Sequence, residues 1–239
     1  MTSAKASPPT AVVLMSGGLD STTLLAEVVA DGFRALPLIF RYGQRHEVEV
    51  AQAIHIARRM SAAAPLVLDL PYAQIGGSSL LGAGEIPAEP VGGAGAAGIP
   101  STYVPARNLV FLSVAVAVAE ARGAGDIFIG VNALDYSGYP DCRPAFIEAF
   151  AEVARLGTKL GVESSATAIR VHAPFIALRK ADIIRRGLAR GVDYAQTISC
   201  YDADPSGRAC GRCESCGLRR RGFAEVGILD PTRYRPASV

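Results

Sequence analysis

Ser16-Gly-Gly-Leu-Asp-Ser-Thr-Thr23 brings two glycines, an acid and four hydroxyls together in one short stretch. Gly17 and Gly18 let the backbone turn tightly and approach a ligand with no Cβ in the way. The apolar segment Thr22 to Val29 reads as a helix, whose free N–H groups and dipole favour an anion at its start. Ser16, Ser21, Thr22 and Thr23 add short donors for phosphate oxygens, so the ligand to expect is a nucleotide polyphosphate. A Walker A loop is excluded, since it needs a Lys before its Ser/Thr. The plainer alternative is a strand-to-helix turn with Ser and Asp capping.

Cys200, Cys210, Cys213 and Cys216 form a second constellation, Cys-x9-Cys-x2-Cys-x2-Cys. Four thiolates so spaced make a closed tetrahedral zinc site, with Zn–S near ~2.3 Å and no open position for chemistry. Such a site carries a net charge of −2, which Arg208, Arg212, Arg219, Arg220 and Arg221 are placed to offset. An iron–sulfur cluster or a redox Cys-x-x-Cys are the alternatives, but the surroundings resemble neither a ferredoxin nor a thioredoxin. Cys142 stands apart and reads as a small buried hydrophobe.

Polar groups recur elsewhere. Asn132 to Arg143 holds Tyr136, Tyr139 and Pro140, which suit stacking on a planar heterocycle, and Asp135, Asp141 and Arg143, which suit ring edges or a carboxylate. Pro105-Ala-Arg107-Asn108 opens an apolar helix and offers another anion-facing helix start. Lys180 can hold a phosphate as a point charge, although taken alone it reads as an exposed helix residue.

The elements that must position these groups alternate. Strand-like runs fall at Val12–Met15, 35–40, 65–70, 127–131 and 169–172, and helix-like segments at 21–30, 47–62, 109–122 and 145–160. The expected fold class is α/β, a doubly wound, mostly parallel sheet that binds ligands at the carboxyl ends of its strands. Residues 1–196 make that domain, and 197–239, richer in Cys, Gly and Arg, a small appended zinc module. Residues 75–100, rich in Gly, Ala and Pro, form a long excursion of the kind that makes lids. Gly93, Gly95 and Gly98 spell Gly-x-Gly-x-x-Gly, but no strand precedes them and no helix follows. His46-Glu47 begins a zincin-like string that fails because Val50 stands where the second His belongs.

The glycine loop resembles the PP-loop of the ATP-pyrophosphatase superfamily, whose members split ATP between its α- and β-phosphates and adenylate a substrate oxygen. Together with Tyr42-Gly-Gln-Arg-His46, Tyr103-Val-Pro-Ala-Arg-Asn108, Gly130-Val-Asn132, Ser137-Gly-Tyr-Pro-Asp-Cys-Arg143 and the four-cysteine tail, it gives a close resemblance to the QueC family of 7-cyano-7-deazaguanine synthases. Many members carry Gln at the position of Leu19. The resemblance implies conversion of 7-carboxy-7-deazaguanine, ammonia and ATP to the nitrile. It also implies a homodimer, Mg²⁺ with the ATP and one structural Zn²⁺ per chain. ATP would lie on Leu14, Met15, Ser16, Gly17, Gly18, Leu19, Asp20, Ser21, Thr22, Thr23 and Leu24. Asp20 would cap the helix or position Mg²⁺, Arg107 and Lys180 would neutralise the departing pyrophosphate, and Tyr139, Asp141 and Arg143 would bind the deazapurine.

Composition sets the outer limits. Half the residues are hydrophobic and 19% are charged, as in a globular protein. Twenty-four basic against twenty-two acidic side chains leave +2, which demands neither nucleic acid nor an acidic membrane. The apolar stretch Leu109 to Ala119 is too short to span a bilayer, and Met1 to Thr10 reads as a loose polar tail rather than a signal peptide. A cytoplasmic enzyme acting on small molecules is the expectation. The rivals are an RNA-modifying PP-loop enzyme, a ligase passing the activated deazapurine to a protein amine, and a zinc-ribbon binder of nucleic acid through Arg219-Arg-Arg221.

Overall fold

A computed structural model describes residues 7–45, 47–60, 63–82, 84–88, 98–134, 138–163 and 168–236, with only the backbone of Glu47. Five parallel strands, β1 (Thr10–Leu14), β2 (Arg34–Arg41), β3 (Leu66–Asp69), β4 (Asp126–Phe128) and β5 (Arg170–His172), lie in the order β3-β2-β1-β4-β5. The apolar runs are continuous because both sheet faces are covered. Ala11 and Val13 of β1 enter one core, while Val12 and Leu14 enter the other. The first core is filled from α1 (Leu19–Ala30), α2 (Glu47–Met60), α7 (Lys180–Ala189) and α8 (Glu214–Val226). The second is filled from α4 (Arg107–Arg122) and α5 (Pro144–Leu156). The chain winds outward from β1 through β2 to β3, then returns to β4 on the other flank. That reversal is the switch point at which such sheets take ligands.

All five expected strands are present, and four expected helices are matched with shifted ends. The first starts at Leu19 rather than Ser21, with Gly18 as its N-cap. The segment 145–160 breaks at Gly157 into α5 and the short α6 (Lys159–Glu163), where the Thr158 hydroxyl accepts the Gly161 N–H at 3.2 Å. The short α3 (Tyr72–Ile75) opens the excursion. Leu80, Leu81 and Ile86 of that excursion are buried against Tyr72, Val104 and three of the tail cysteines, and Ala88 bridges Cys213. This part is therefore packed down on the cysteine tail. Gly93 and Gly95, like Asp135, Tyr136, Ser137 and His46, lie outside the described residues.

Close helix crossings depend on two glycines. A Cβ on Gly222 of α8 would come within 2.6 Å of Lys180 Cγ, and one on Gly187 of α7 would overlap the Tyr194 hydroxyl and come within 2.8 Å of Thr23 Oγ1. Gly187→Ala should gain about 1 kcal/mol of helix propensity but lose about 1–3 kcal/mol to overpacking. The net expectation is a lower urea midpoint, and adding Tyr194→Phe should recover part of it by removing the overlapped hydroxyl.

Candidate functional site: a cavity at the sheet switch point

A cavity of about 240 Å³ opens over the carboxyl ends of β1, β2 and β4. Its floor is the predicted loop. Ser16, Gly18, Leu19, Asp20 and Ser21 line it, with Leu14 and Met15 behind them. Gly17 has φ +79°, and a Cβ there would meet the Ala53 backbone of α2 at 2.9 Å. The demand for glycine thus comes from helix packing as well as from the left-handed turn. Gly18, by contrast, sits in ordinary extended backbone.

The hydroxyls divide by helix face. Ser16 Oγ and Ser21 Oγ lie 3.1 Å apart at the cavity. Thr23 points into the core, donating to Leu19 O at 2.9 Å and sharing a 2.8 Å hydrogen bond with Tyr194. Leu24 is fully buried, and Thr22 Oγ1 is buried with no hydrogen-bond partner among the described residues. Gly17, Thr22, Thr23 and Leu24 therefore sit behind the cavity wall, because successive helical residues cannot all face one ligand.

Asp20 does not cap α1. Both its carboxylate oxygens accept from Lys180 Nζ at 2.8 Å, and the lysine is only 7% exposed. Lys180 is thus no surface residue: it opens α7 and is buried against α8, where Gly222 leaves it room.

Opposite the loop stands Arg107, the first residue of α4. Ala106 before it is the one non-glycine with positive φ among the described residues, at +52°. Left-handed backbone costs alanine about 1–2 kcal/mol, and neighbouring hydrogen bonds hold it. The Tyr103 hydroxyl accepts the Ala106 N–H at 2.8 Å, and the Tyr72 hydroxyl donates to Ala106 O at 3.2 Å. Asp141 Oδ2 then accepts the Asn108 N–H at 2.8 Å. The result turns Arg107 into the cavity beside Tyr42, 3.4 Å from its hydroxyl and 5.9 Å from its ring centre. Burial raises the Tyr42 hydroxyl above its usual pKa despite the arginine, so the pair is one cation and one neutral phenol.

The three expected deazapurine contacts separate. Tyr139 lines the cavity, its hydroxyl 2.8 Å from Thr102 Oγ1. Asp141 is buried and holds the start of α4. Arg143 is exposed ahead of α5 and does not line the cavity. Cys142 does line it, 3.3 Å from Asn108 Nδ2, but burial and then the Asp141 charge push its thiol up to about 12. A protonated thiol at neutral pH is no nucleophile.

Sequence reasoning missed several lining groups. Glu49 and Val50 come from α2, Phe111 from α4, and Ser199, Tyr201 and Ser215 from the cysteine tail. The tail is wired into the loop. Ser199 Oγ accepts the Leu19 N–H at 3.1 Å, Ile198 N–H donates to Gly17 O at 3.0 Å, and the Ser215 hydroxyl donates to Ser199 O at 2.5 Å. Ser199 adjoins Cys200, and Ser215 lies between Cys213 and Cys216.

The four cysteine sulfurs lie within 4.8 Å of one another, and none forms a disulfide. A tetrahedron with Zn–S of ~2.3 Å needs S···S of about 3.8 Å, and Cys213–Cys216 at 3.5 Å and Cys210–Cys216 at 4.0 Å bracket that value. Backbone N–H groups of Asp202 and Cys210 donate to Cys200 Sγ, and those of Arg212 and Cys213 to Cys210 Sγ. Such donors stabilise thiolates, so the set fits a thiophilic metal. The expected arginine belt is rearranged. Arg208 pairs with Asp204 at 2.7 Å, buried Arg219 pairs with Asp230 at 3.0 Å, and Arg220 stacks 4.2 Å over Tyr234. Arg235, which pairs with Asp202 at 2.6 Å, is a cation whose charge is coupled to Cys200 and Cys210.

This arrangement places the glycine loop, Arg45, Arg107 and aromatic walls around one cavity, with Lys180 held outside its lining by Asp20 and four cysteines that could bind a metal nearby. A family profile described as queuosine biosynthesis protein QueC matches residues 10–227. The chain belongs to the QueC family. It is 56% identical to the 7-cyano-7-deazaguanine synthase of Solidesulfovibrio magneticus over 96% of this chain and 97% of that one. It is 57% identical to the synthase of that name from Geobacter metallireducens, over 94% and 92% of the two chains. Among solved structures it resembles a 4-thiouridine synthetase in complex with RNA and ATP. The TM-score is 0.50 at 17% identity, covering 92% of this chain and 50% of that one, a likeness of fold. No helix among the described residues is long and apolar enough to cross a membrane.

Proposed function

We propose that this member of the QueC family is a 7-cyano-7-deazaguanine synthase. The observation that carries the reading is the convergence on one cavity of the α1 loop, Arg107 and Tyr139. A carboxylate is a poor electrophile, so one of its oxygens must become a leaving group. The carboxylate of 7-carboxy-7-deazaguanine attacks the ATP α-phosphate, giving an acyl adenylate and pyrophosphate. Ammonia then displaces AMP to give the amide and a proton. The amide oxygen then attacks the α-phosphate of a second ATP, releasing a second pyrophosphate, and loss of AMP and the two amide protons leaves the nitrile.

Ser16, Gly18, Leu19, Asp20 and Ser21 hold the phosphates, and Lys180 and Arg107 neutralise charge as pyrophosphate leaves. Tyr139 faces the deazapurine, while Asp141 acts at one remove by setting α4 and Arg107. The carboxylate of Asp20 suits in kind a Mg²⁺ carried by ATP, with Lys180 competing for it. Cys200, Cys210, Cys213 and Cys216 would hold a structural Zn²⁺, which fixes the tail that carries Ser199 and Ser215. A division at residue 197 separates the glycine loop from the metal ligands in sequence, while Ser199, Tyr201 and Ser215 of the second segment reach the cavity and its α8 completes the first core. The reading includes a cytoplasmic homodimer with no direct nucleic-acid contact. The net charge of +2 supports the last point, and exposed Val153 and Leu156 on α5 support an association surface.

Oxygen-18 in both carboxylate positions tests this route. The expected outcome is two labelled AMP molecules per nitrile. Label in inorganic phosphate with ADP would overturn the adenylation chemistry.

A further inference from the structure

Glu49 is the acid in the cavity that the mechanism leaves without a task. It projects from α2 into the cavity and is half-buried. It has neither a hydrogen bond nor an ion pair with any described residue, whereas Asp20, the other carboxylate of the lining, is occupied by Lys180. Val50, Phe40, Tyr42 and Phe111 share the cavity wall with it, and Arg107 and Arg45 are the cations of the lining. A half-buried carboxylate with no partner among the described residues is one that a ligand with matching donors would stabilise.

Burial pushes the Glu49 carboxyl up to about 8, and a ligand that donates two hydrogen bonds draws it back to the ionised form, which only accepts and accepts two in parallel most strongly. The aminopyrimidinone edge of a guanine-type base offers two adjacent N–H donors, N1–H and the 2-amino group. The adenine edge offers one donor beside an acceptor, so its ring nitrogen would face a carboxylate oxygen lone pair to lone pair. In its ionised form Glu49 therefore matches the deazaguanine and mismatches the adenine of ATP. The carbonyl oxygen that adjoins N1–H on this edge is an acceptor complementary to the nearby Arg107.

Resting on the synthase reading, we infer that Glu49 is the specificity-determining residue for the aminopyrimidinone edge of the deazapurine substrate. Glu→Gln keeps the shape but turns one acceptor into a donor facing a donor.

The test is calorimetric binding with wild type and Glu49→Gln, using 7-carboxy-7-deazaguanine, its analogue lacking the exocyclic amine, and a non-hydrolysable ATP analogue. Wild type should bind the amine-free analogue about 10- to 100-fold more weakly than the substrate. The variant should lose substrate affinity by a similar factor, discriminate the two deazapurines by less than about threefold, and bind the ATP analogue within about twofold of wild type. Equal binding of the two deazapurines by wild type would overturn the inference without any variant. So would a Glu49→Gln effect confined to ATP, or one seen only in the ammonium dependence of turnover. Failure of wild type to bind 7-carboxy-7-deazaguanine at all would overturn the synthase reading instead.

Discussion

Lys180→Ala is expected to lower turnover by about 100-fold or more, the scale found when one preorganised charge-stabilising donor is lost. It should also destabilise the fold by about 3–5 kcal/mol, the cost of leaving the partner of a buried pair uncompensated. Both effects follow from one geometry. Lys180 Nζ lies 2.8 Å from each oxygen of Asp20, whose side chain is 19% exposed. Asp20→Ala should show the same two losses with an unchanged metal content. The double variant Asp20→Asn, Lys180→Met separates them. It removes both charges while keeping shape, so its denaturation midpoint should return toward wild type within about 1–2 kcal/mol, and its turnover should not return. Turnover of Lys180→Met within threefold of wild type would remove the lysine from the phosphate chemistry.

Loss of the metal is the second large effect expected. Purified protein should carry one zinc per chain by elemental analysis. Cys216→Ser or a strong chelator should remove it and lower the melting temperature by on the order of 10 °C, equivalent to a few kcal/mol in a chain of this size. The consequence should reach the nucleotide, because Ser215 and Ser199 link the cysteine loop to the Leu19 N–H. Nucleotide affinity should fall by about tenfold, the value of one or two hydrogen bonds. Ser199→Ala should reproduce the weaker nucleotide binding while retaining zinc. Metal loss that leaves both melting and nucleotide binding unchanged would contradict the linkage, and protein from zinc-replete cells without any zinc would contradict the metal assignment.

The parts of this site that lie close together in the chain were legible. An apolar strand, two glycines and a helix start in sequence define the loop, and cysteine spacing defines the ligand set, which the structure closes to within 4.8 Å. Groups assembled from distant segments were not. Glu49 lies on an amphipathic helix, where any acid reads as a solvated surface residue. Lys180 read as exposed for the same reason, and what buries it is Gly222 on α8. That helix was itself obscured by Arg219-Arg-Arg221, in which Arg219 turns inward to Asp230, Thr197 and the Tyr194 carbonyl. Thr23 could have been excluded as a phosphate donor by helical periodicity alone, since it falls on the core face of α1.

Synthase activity is tested most directly by incubating the protein with Mg-ATP, ammonium and 7-carboxy-7-deazaguanine and following the deazapurine by mass spectrometry. The amide is expected first and then the nitrile, both requiring ammonium, with AMP accumulating. ATP consumed with no nitrile formed, or no turnover under conditions in which ATP and the carboxylate both bind, would contradict it.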